Sequence, residues 1–306
     1  MKTYLINEDI RGIVSNEETV WSVLAENLDG TSGVALNDLK EDLTALLNRE
    51  NPDVVVCNAI MGNFYTPAHT KRVVFLQDNF FVMQKILPWD WKRVVRSVLN
   101  HFKDPYVTKY KLQIDAINKA DKVVVVSKDI ARAYGLTDAE IIPIGTDTNL
   151  FKPLDNKVEL RKKYGVPLEM NIKIFIGSTH AVKGFDILEN EIRNDTKSFY
   201  ILVLKDKYRP MLKFSNVKVF QRIGQGTLAE LMNCADLCVG RSRVETLWLG
   251  PIEAMFCGIP VDVTPVGIFA DWKPANIDPR KEAFELGLDR ETMIKRWGSL
   301  ISKIVE

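Results

Sequence analysis

Several residue types and signals are scarce in this chain of 306 residues. The three histidines, His69, His101 and His180, are scattered and make no zinc-like spacing, so no metal centre is expected. The four cysteines, Cys57, Cys234, Cys238 and Cys257, form no Cys-x-x-Cys pair and lie in apolar runs or helix patterns. Buried free thiols in a reducing compartment are therefore expected, not disulfides. No run reaches about 18 apolar residues, so no transmembrane helix is expected. The opening MKTYLINEDIRG carries too short an apolar stretch for a signal peptide. The net charge is +1, so nothing global points to nucleic acid. A Gly-x-Gly-x-x-Gly turn after an early strand is missing, which argues against a nicotinamide-dependent oxidoreductase. These absences leave a cytoplasmic protein of one large or two medium domains.

What is present is alternation. Runs rich in β-branched residues recur at 3–6, 53–57 (DVVVC), 72–77 (RVVFLQ), 122–127 (KVVVVS) and 140–142. A second series follows at 172–177 (IKIFIG), 198–204 (SFYILVL), 217–220, 237–240 and 260–264. Most are apolar without alternation, as parallel strands covered on both faces require. Amphipathic stretches lie between them, at 16–28, 36–48, 91–102, 106–119, 129–134, 183–190 and 227–234. Strand-helix-strand order implies open α/β sheets. The alternation stalls at IIPIGTDTNLFKPLDNK, residues 141–157, where Pro143, Gly145 and Pro153 read as a linker. Two Rossmann-like domains are expected, a compact 1–145 and a second at 146–285, followed by a terminal helix within 286–306 whose packing the sequence leaves open. Ligands of such sheets bind beyond the carboxyl ends of the strands, and two sets of ends can share one cleft.

Two segments carry chemistry. In GSTHAVKGF, Gly177 ends a strand, Lys183 stands near a helix start, and Gly184 permits close backbone approach. A lysine there suits a diphosphate, or is a solvated surface lysine; the order of residues is not that of a Walker motif. In VETLWLGPIEAMFCGIPVDVTPVG, Glu245 and Glu253 bracket a strand-to-helix junction with Pro251 in its first turn. Ionised carboxylates accept hydrogen bonds from hydroxyls, and a helix start offers free N–H groups to a phosphate. Glu253 lies among Ile252, Ala254, Met255 and Phe256, where a carboxylate needs a partner.

Three blocks together resemble GT-B glycosyltransferases, most closely the retaining family 4: VVVVSKDIARAYGLTDAEIIPIGTDTNLFKP, IKIFIGSTHAVKGFDIL, and NVKVFQRIGQGTLAELMNCADLCVGRSRVETLWLGPIEAMFCGIPVDVTPVG. The resemblance is good over about residues 120–270 and loose before them. It implies that Glu253 accepts from ribose hydroxyls, Glu245 from hydroxyls of the transferred sugar, and that Lys183 neutralises the diphosphate. Backbone amides of Thr246, Leu247, Trp248 and Leu249 complete that implied site, and the base lies against 220–223, which includes Arg222. No metal or other cofactor is implied beyond a UDP- or GDP-linked sugar as co-substrate.

The chain departs from the family pattern in four places. Ser178 stands where an arginine is usual, with His180, Arg241 or Arg243 as candidate substitutes. Trp248 replaces a glycine, so its ring either narrows the sugar pocket or turns away. A single Gly12 replaces the usual Gly-Gly turn. Gln77 and Asp78 stand where a histidine is usual, and Asp78 is a candidate to orient or deprotonate the acceptor, or is a strand-end turn residue. The segment DGTSGVALNDL replaces the extra strands of most members, so the acceptor side is compact. Residues 89–103 mix tryptophans with Lys92, Arg93, Arg96 and Lys103. They read either as a core helix with a basic solvated face or as a peripheral contact with an anionic membrane.

The expected activity is metal-independent, retaining transfer of a sugar from a nucleotide diphosphate to a glycan, lipid-linked or protein acceptor. The alternative is a catalytically impaired relative that binds nucleotide or glycan.

Overall fold

The structure is a computed structural model that describes residues 1–8, 20–61, 64–86, 104–205 and 214–306. Gly12 and the stretch 89–103 lie outside the described residues. The chain divides into two compact units, Met1–Ile144 with Glu291–Glu306, and Gly145–Arg290.

In the first unit the strands are β1 (Thr3–Asn7), β2 (Thr31–Ala35), β3 (Val54–Asn58), β4 (Lys71–Leu76), β5 (Lys122–Val125) and β6 (Glu140–Ile141). They form a sheet in the order β2-β1-β3-β4-β5-β6, and every neighbouring pair is parallel. Parallel neighbours need crossovers. Helices α1 (Val20–Asn27), α2 (Leu43–Glu50), α3 (Phe80–Ile86), α4 (Pro105–Asn118) and α5 (Lys128–Ala133) lie between the strands. The central strands are buried without alternation, Val54–Cys57 and Val73–Leu76 being inaccessible to solvent, as their continuous apolar runs require.

Two sequence expectations need correction here. DGTSGVALNDL contains β2, an edge strand in which only Val34 is buried. Its glycine and polar residues hide it from an apolar-run criterion. The helix expected at 36–48 is instead a short 3₁₀ turn at Leu36–Asp38 followed by α2. Asp42 breaks it by capping α2, its carboxylate accepting from Thr44 N at 2.7 Å and Ala45 N at 3.2 Å.

The second unit contains α6 (Lys157–Lys163), β7 (Asn171–Gly177), α7 (Phe185–Asn194), β8 (Ser198–Leu204), β9 (Val217–Gln221), α8 (Gln225–Cys234), β10 (Leu237–Gly240), α9 (Leu249–Phe256), β11 (Val261–Val263) and α10 (Pro279–Glu285). Its parallel sheet has the order β11-β10-β7-β8-β9. Phe175, Phe185, Leu188, Ile192, Tyr200, Leu202 and Val239 form one buried cluster across α7 and the sheet, each large side chain worth about 1.5–3 kcal/mol of burial. The stretch 141–157 carries more order than its prolines imply. Thr146 N donates to Leu288 O at 2.8 Å and Arg290 N to Thr146 O at 3.0 Å, so the chain enters and leaves this unit side by side.

The last helix, α11 (Arg290–Val305), belongs beyond its first residue to the first unit. Trp297 is fully buried there, edge-on to Phe75 at 5.1 Å. All four cysteines are buried and free.

Two local arrangements hold the second unit in shape. At the base of β7 and β8, Asp195 accepts from Lys173 Nζ at 2.7 Å, Tyr200 Oη at 2.8 Å, Lys197 N at 2.9 Å and Ser198 N at 3.0 Å. Burial alone raises its pKa, but these donors outweigh burial and hold the carboxyl far below the usual range. At the start of α9, Trp248 adopts φ +76°, a left-handed conformation that favours glycine. Its ring is buried against Gly240, where an added Cβ would sit 2.2 Å from it, and lies edge-on to Phe269 at 6.0 Å. The indole thus packs into the body of the unit.

A carboxyl whose pKa is lowered on folding adds stability above its unfolded value of about 3.9 and loses it as pH falls through the folded one. The guanidinium unfolding midpoint is therefore expected to hold from pH 7 to about 5 and to drop below about 4. Asp195→Asn should cost about 1–3 kcal/mol at pH 7 and flatten that drop; an unchanged pH profile would remove Asp195 as its source. Trp248→Gly should lower stability by about 2–4 kcal/mol, the lost packing exceeding the relief of backbone strain. A variant as stable as the parent in the same titration would show that the ring anchors nothing.

Candidate functional site

In the second unit β7 has β8 and β9 on one side and β10 with β11 on the other. The strand order therefore reverses between β7 and β10, the place where open α/β sheets form a crevice at their carboxyl ends. The two loops leaving these strands, 178–184 and 241–248, are the ones singled out in the sequence. They are laced together. Arg243 N donates to Val182 O at 2.7 Å, and Arg243 Nη1 to Ala181 O at 2.5 Å. A Cβ on Gly184 would lie 1.7 Å from Arg241 O, and Gly184 has φ +61°, so only glycine fits.

This lacing delivers Lys183 to Glu245. Lys183 Nζ donates to Glu245 Oε1 at 2.7 Å, and Ser242 Oγ donates to the same oxygen at 2.6 Å. The glutamate side chain is 8% exposed and the lysine 34%. Gly267 closes the far side, its missing Cβ leaving 3.2 Å to Glu245 Cβ. Ser242 and Gly267 carry no signal in the sequence; only their position beside Glu245 marks them.

Beyond Glu245 the chain turns into α9. Among the described residues no hydrogen bond takes up the backbone N–H of Thr246, Leu247, Trp248 or Leu249. Open N–H groups at a helix start favour an anion. Glu253 lies in the second turn of α9, not at the junction itself. It is half-buried and near enough to Cys238 of β10 and Cys257 after the helix for its charge to act on both thiols. Burial pushes the Cys257 thiol up to about 12, and the nearby Glu253 carboxylate adds to that rise.

The proposed substitutes for the missing arginine are already occupied. Arg241 donates to Glu191 Oε1 at 2.6 Å and to Asp262 Oδ2 at 2.7 Å. Arg243 makes a fork with both Asp186 oxygens at 2.7 Å. His180 is exposed and caps its own turn, Nδ1 accepting from Val182 N at 3.3 Å. Ser178 is half-buried, with Oγ 3.4 Å from His180 N. Arg222 is exposed, at φ +52° in the turn after β9, and Phe220 packs edge-on to Tyr164 at 5.8 Å.

Gln77 and Asp78 follow β4 in the first unit. Gln77 Nε2 is buried with no hydrogen-bond partner among the described residues. Burial raises the Asp78 pKa, and Lys109 opposes the rise. Gln113, which the sequence did not mark, donates from Nε2 to Asp78 O at 3.0 Å and accepts from Tyr134 Oη, itself 3.2 Å from Phe81 N. Among the described residues no group of three His, Cys, Asp or Glu is arranged to hold a metal ion, and no helix is long and apolar enough to cross a membrane.

No protein-family model matches the chain. The D-inositol 3-phosphate glycosyltransferase of Xylanimonas cellulosilytica is 25% identical over a stretch covering 46% of this chain and 39% of that protein. The match thus spans about two fifths of the relative's length. Among solved structures, a sucrose-phosphate synthase from Thermosynechococcus elongatus superposes with a TM-score of 0.71 at 16% identity, covering 99% of this chain and 98% of its own. Anabaena HepE, solved with UDP-glucose, does so with a TM-score of 0.67 at 16% identity, covering 99% of this chain and 100% of its own. These likenesses show the fold, which is GT-B: two Rossmann-like α/β units, each built on a parallel sheet.

Proposed function

We propose that the protein is a retaining, metal-independent glycosyltransferase of family 4 type. It moves a sugar from a UDP- or GDP-linked donor to a glycan, lipid-linked or protein acceptor. The observation that carries this reading is the Lys183–Glu245–Ser242 cluster at the switch point of the second sheet, beside the open N–H groups of 246–249. A nucleotide sugar offers what that cluster complements: a dianionic diphosphate for the lysine and the amides, and hydroxyls for the carboxylate.

In this reading Glu253 holds the ribose hydroxyls and Glu245 those of the transferred sugar. The acceptor oxygen bonds to the anomeric carbon as the bond from that carbon to the diphosphate oxygen breaks. The acceptor proton passes to the leaving phosphate on the same face, which retains configuration. Charge developing on the diphosphate is stabilised by Lys183 and by fixed backbone donors. Asp78 orients the acceptor hydroxyl by accepting a hydrogen bond from it.

A second reading is favoured by one finding. Ser178 replaces the usual arginine, and Arg241 and Arg243 are bound to Glu191, Asp262 and Asp186. A site with one cation fewer can bind nucleotide without turning it over. Calorimetry with nucleoside diphosphates, paired with an assay of donor hydrolysis, separates the two readings: binding without sugar release from any donor would leave the binding module.

Glu253→Ala should weaken nucleoside diphosphate binding by about tenfold to a hundredfold, the worth of charge-assisted hydrogen bonds. Equal affinity in parent and variant would sink the ribose assignment. Asp78→Asn should lower kcat/KM by about tenfold to a hundredfold, the worth of a charge-assisted hydrogen bond. It should also remove an acid limb in the pH profile, placed above the ordinary aspartate range because burial raises the pKa of Asp78. A limb that survives the substitution assigns it to another group.

A further inference from the structure

The role assigned to Lys183 requires its charge, yet Lys183 Nζ already lies 2.7 Å from Glu245 Oε1. The carboxylate is nearly buried. If Lys183 leaves it, the remaining donor in the cluster is Ser242 Oγ at 2.6 Å. The flanking arginines carry carboxylate partners of their own, Arg241 those of Glu191 and Asp262 and Arg243 that of Asp186. A diphosphate that draws on Lys183 therefore meets a nearby like charge and strips a buried carboxylate of its cation, both unfavourable. A sugar attached to the diphosphate removes the second penalty, because its hydroxyls can donate to Glu245 in place of the ammonium.

We infer that Glu245 is a specificity-determining residue: by pairing with Lys183 it disfavours a bare nucleoside diphosphate and favours one that carries a sugar. The inference rests on the donor-site reading above and goes beyond it in assigning Glu245 a negative effect on one ligand. It also gives the site a means of releasing its product. Once the sugar has gone, the nucleoside diphosphate must compete with Glu245 for Lys183.

The test is calorimetry on the full chain with uridine, guanosine, adenosine and thymidine diphosphates and their glucose conjugates. For the diphosphate that the parent binds best, Glu245→Gln should bind about tenfold to a hundredfold more tightly. The gain should be smaller for the glucose conjugate and should vanish when Lys183→Met is also present. An unchanged or weakened affinity for the bare diphosphate overturns the inference while leaving the nucleotide-sugar reading intact. An equal gain for both ligands, or a gain that survives Lys183→Met, does the same. If the parent binds none of the four diphosphates, the donor-site reading and the inference fail together. Should circular dichroism show that Glu245→Gln is unfolded, Ser242→Ala carries the test in the other direction. It removes the last donor to a stripped Glu245 and should weaken bare diphosphate binding several-fold, and an unchanged affinity counts against the inference.

Discussion

Gly184 lies so close to the carbonyl of Arg241 that no side chain fits between them. That approach, reinforced by the hydrogen bonds from Arg243 to Val182 and Ala181, fuses the loop after β7 to the loop after β10. The rest of the site depends on it. Lys183 precedes the glycine and Glu245 follows the arginines, so fusing the two loops places an ammonium on a carboxylate. The sheet order supplies the reason these loops meet at all, since β7 and β10 are neighbours at the point where the order reverses.

Charge in this region is disposed in two ways. Arg241 points back into the scaffold and pairs with Glu191 and Asp262, while Arg243 pairs with Asp186 at the surface. They stiffen the loops and are spent in doing so. On these two loops Lys183 is the cation paired with the residue proposed to hold the sugar. The low exposure of Glu245 makes that sharing consequential, because a buried carboxylate without its partner is costly. On the proposed reading, affinity for the diphosphate and affinity for the sugar are linked through a single ion pair.

Much of the fold was legible because parallel strands buried on both faces must be apolar throughout. DVVVC, RVVFLQ and SFYILVL each mark a strand of a parallel sheet. Legibility failed where burial was one-sided or a single side chain decided the outcome. The edge strand β2 has only Val34 buried and shows no apolar run. Asp42 splits a stretch of helical period by capping its second half. In the site, Lys183 and Glu245 were readable as candidates from residue type and place. Ser242 was not, because a serine between two arginines has no pattern of its own. The direction of the Trp248 ring was equally hidden, because it depends on the missing Cβ of Gly240 in another segment.

The amino-acid sequence by itself determined the alternation of strands and helices, the parallel sheets, and which functional groups stand at strand ends. These follow from local composition and period, which each segment carries within itself. Only the tertiary structure decided that Lys183 and Glu245 are partners, that the arginines beside them are occupied, and that the Trp248 indole lies in the unit's interior. Lys183 and Glu245 are 62 positions apart in the chain. What brings them within a hydrogen bond is the order in which strands join the sheet, a property of the whole unit that no local stretch of residues records.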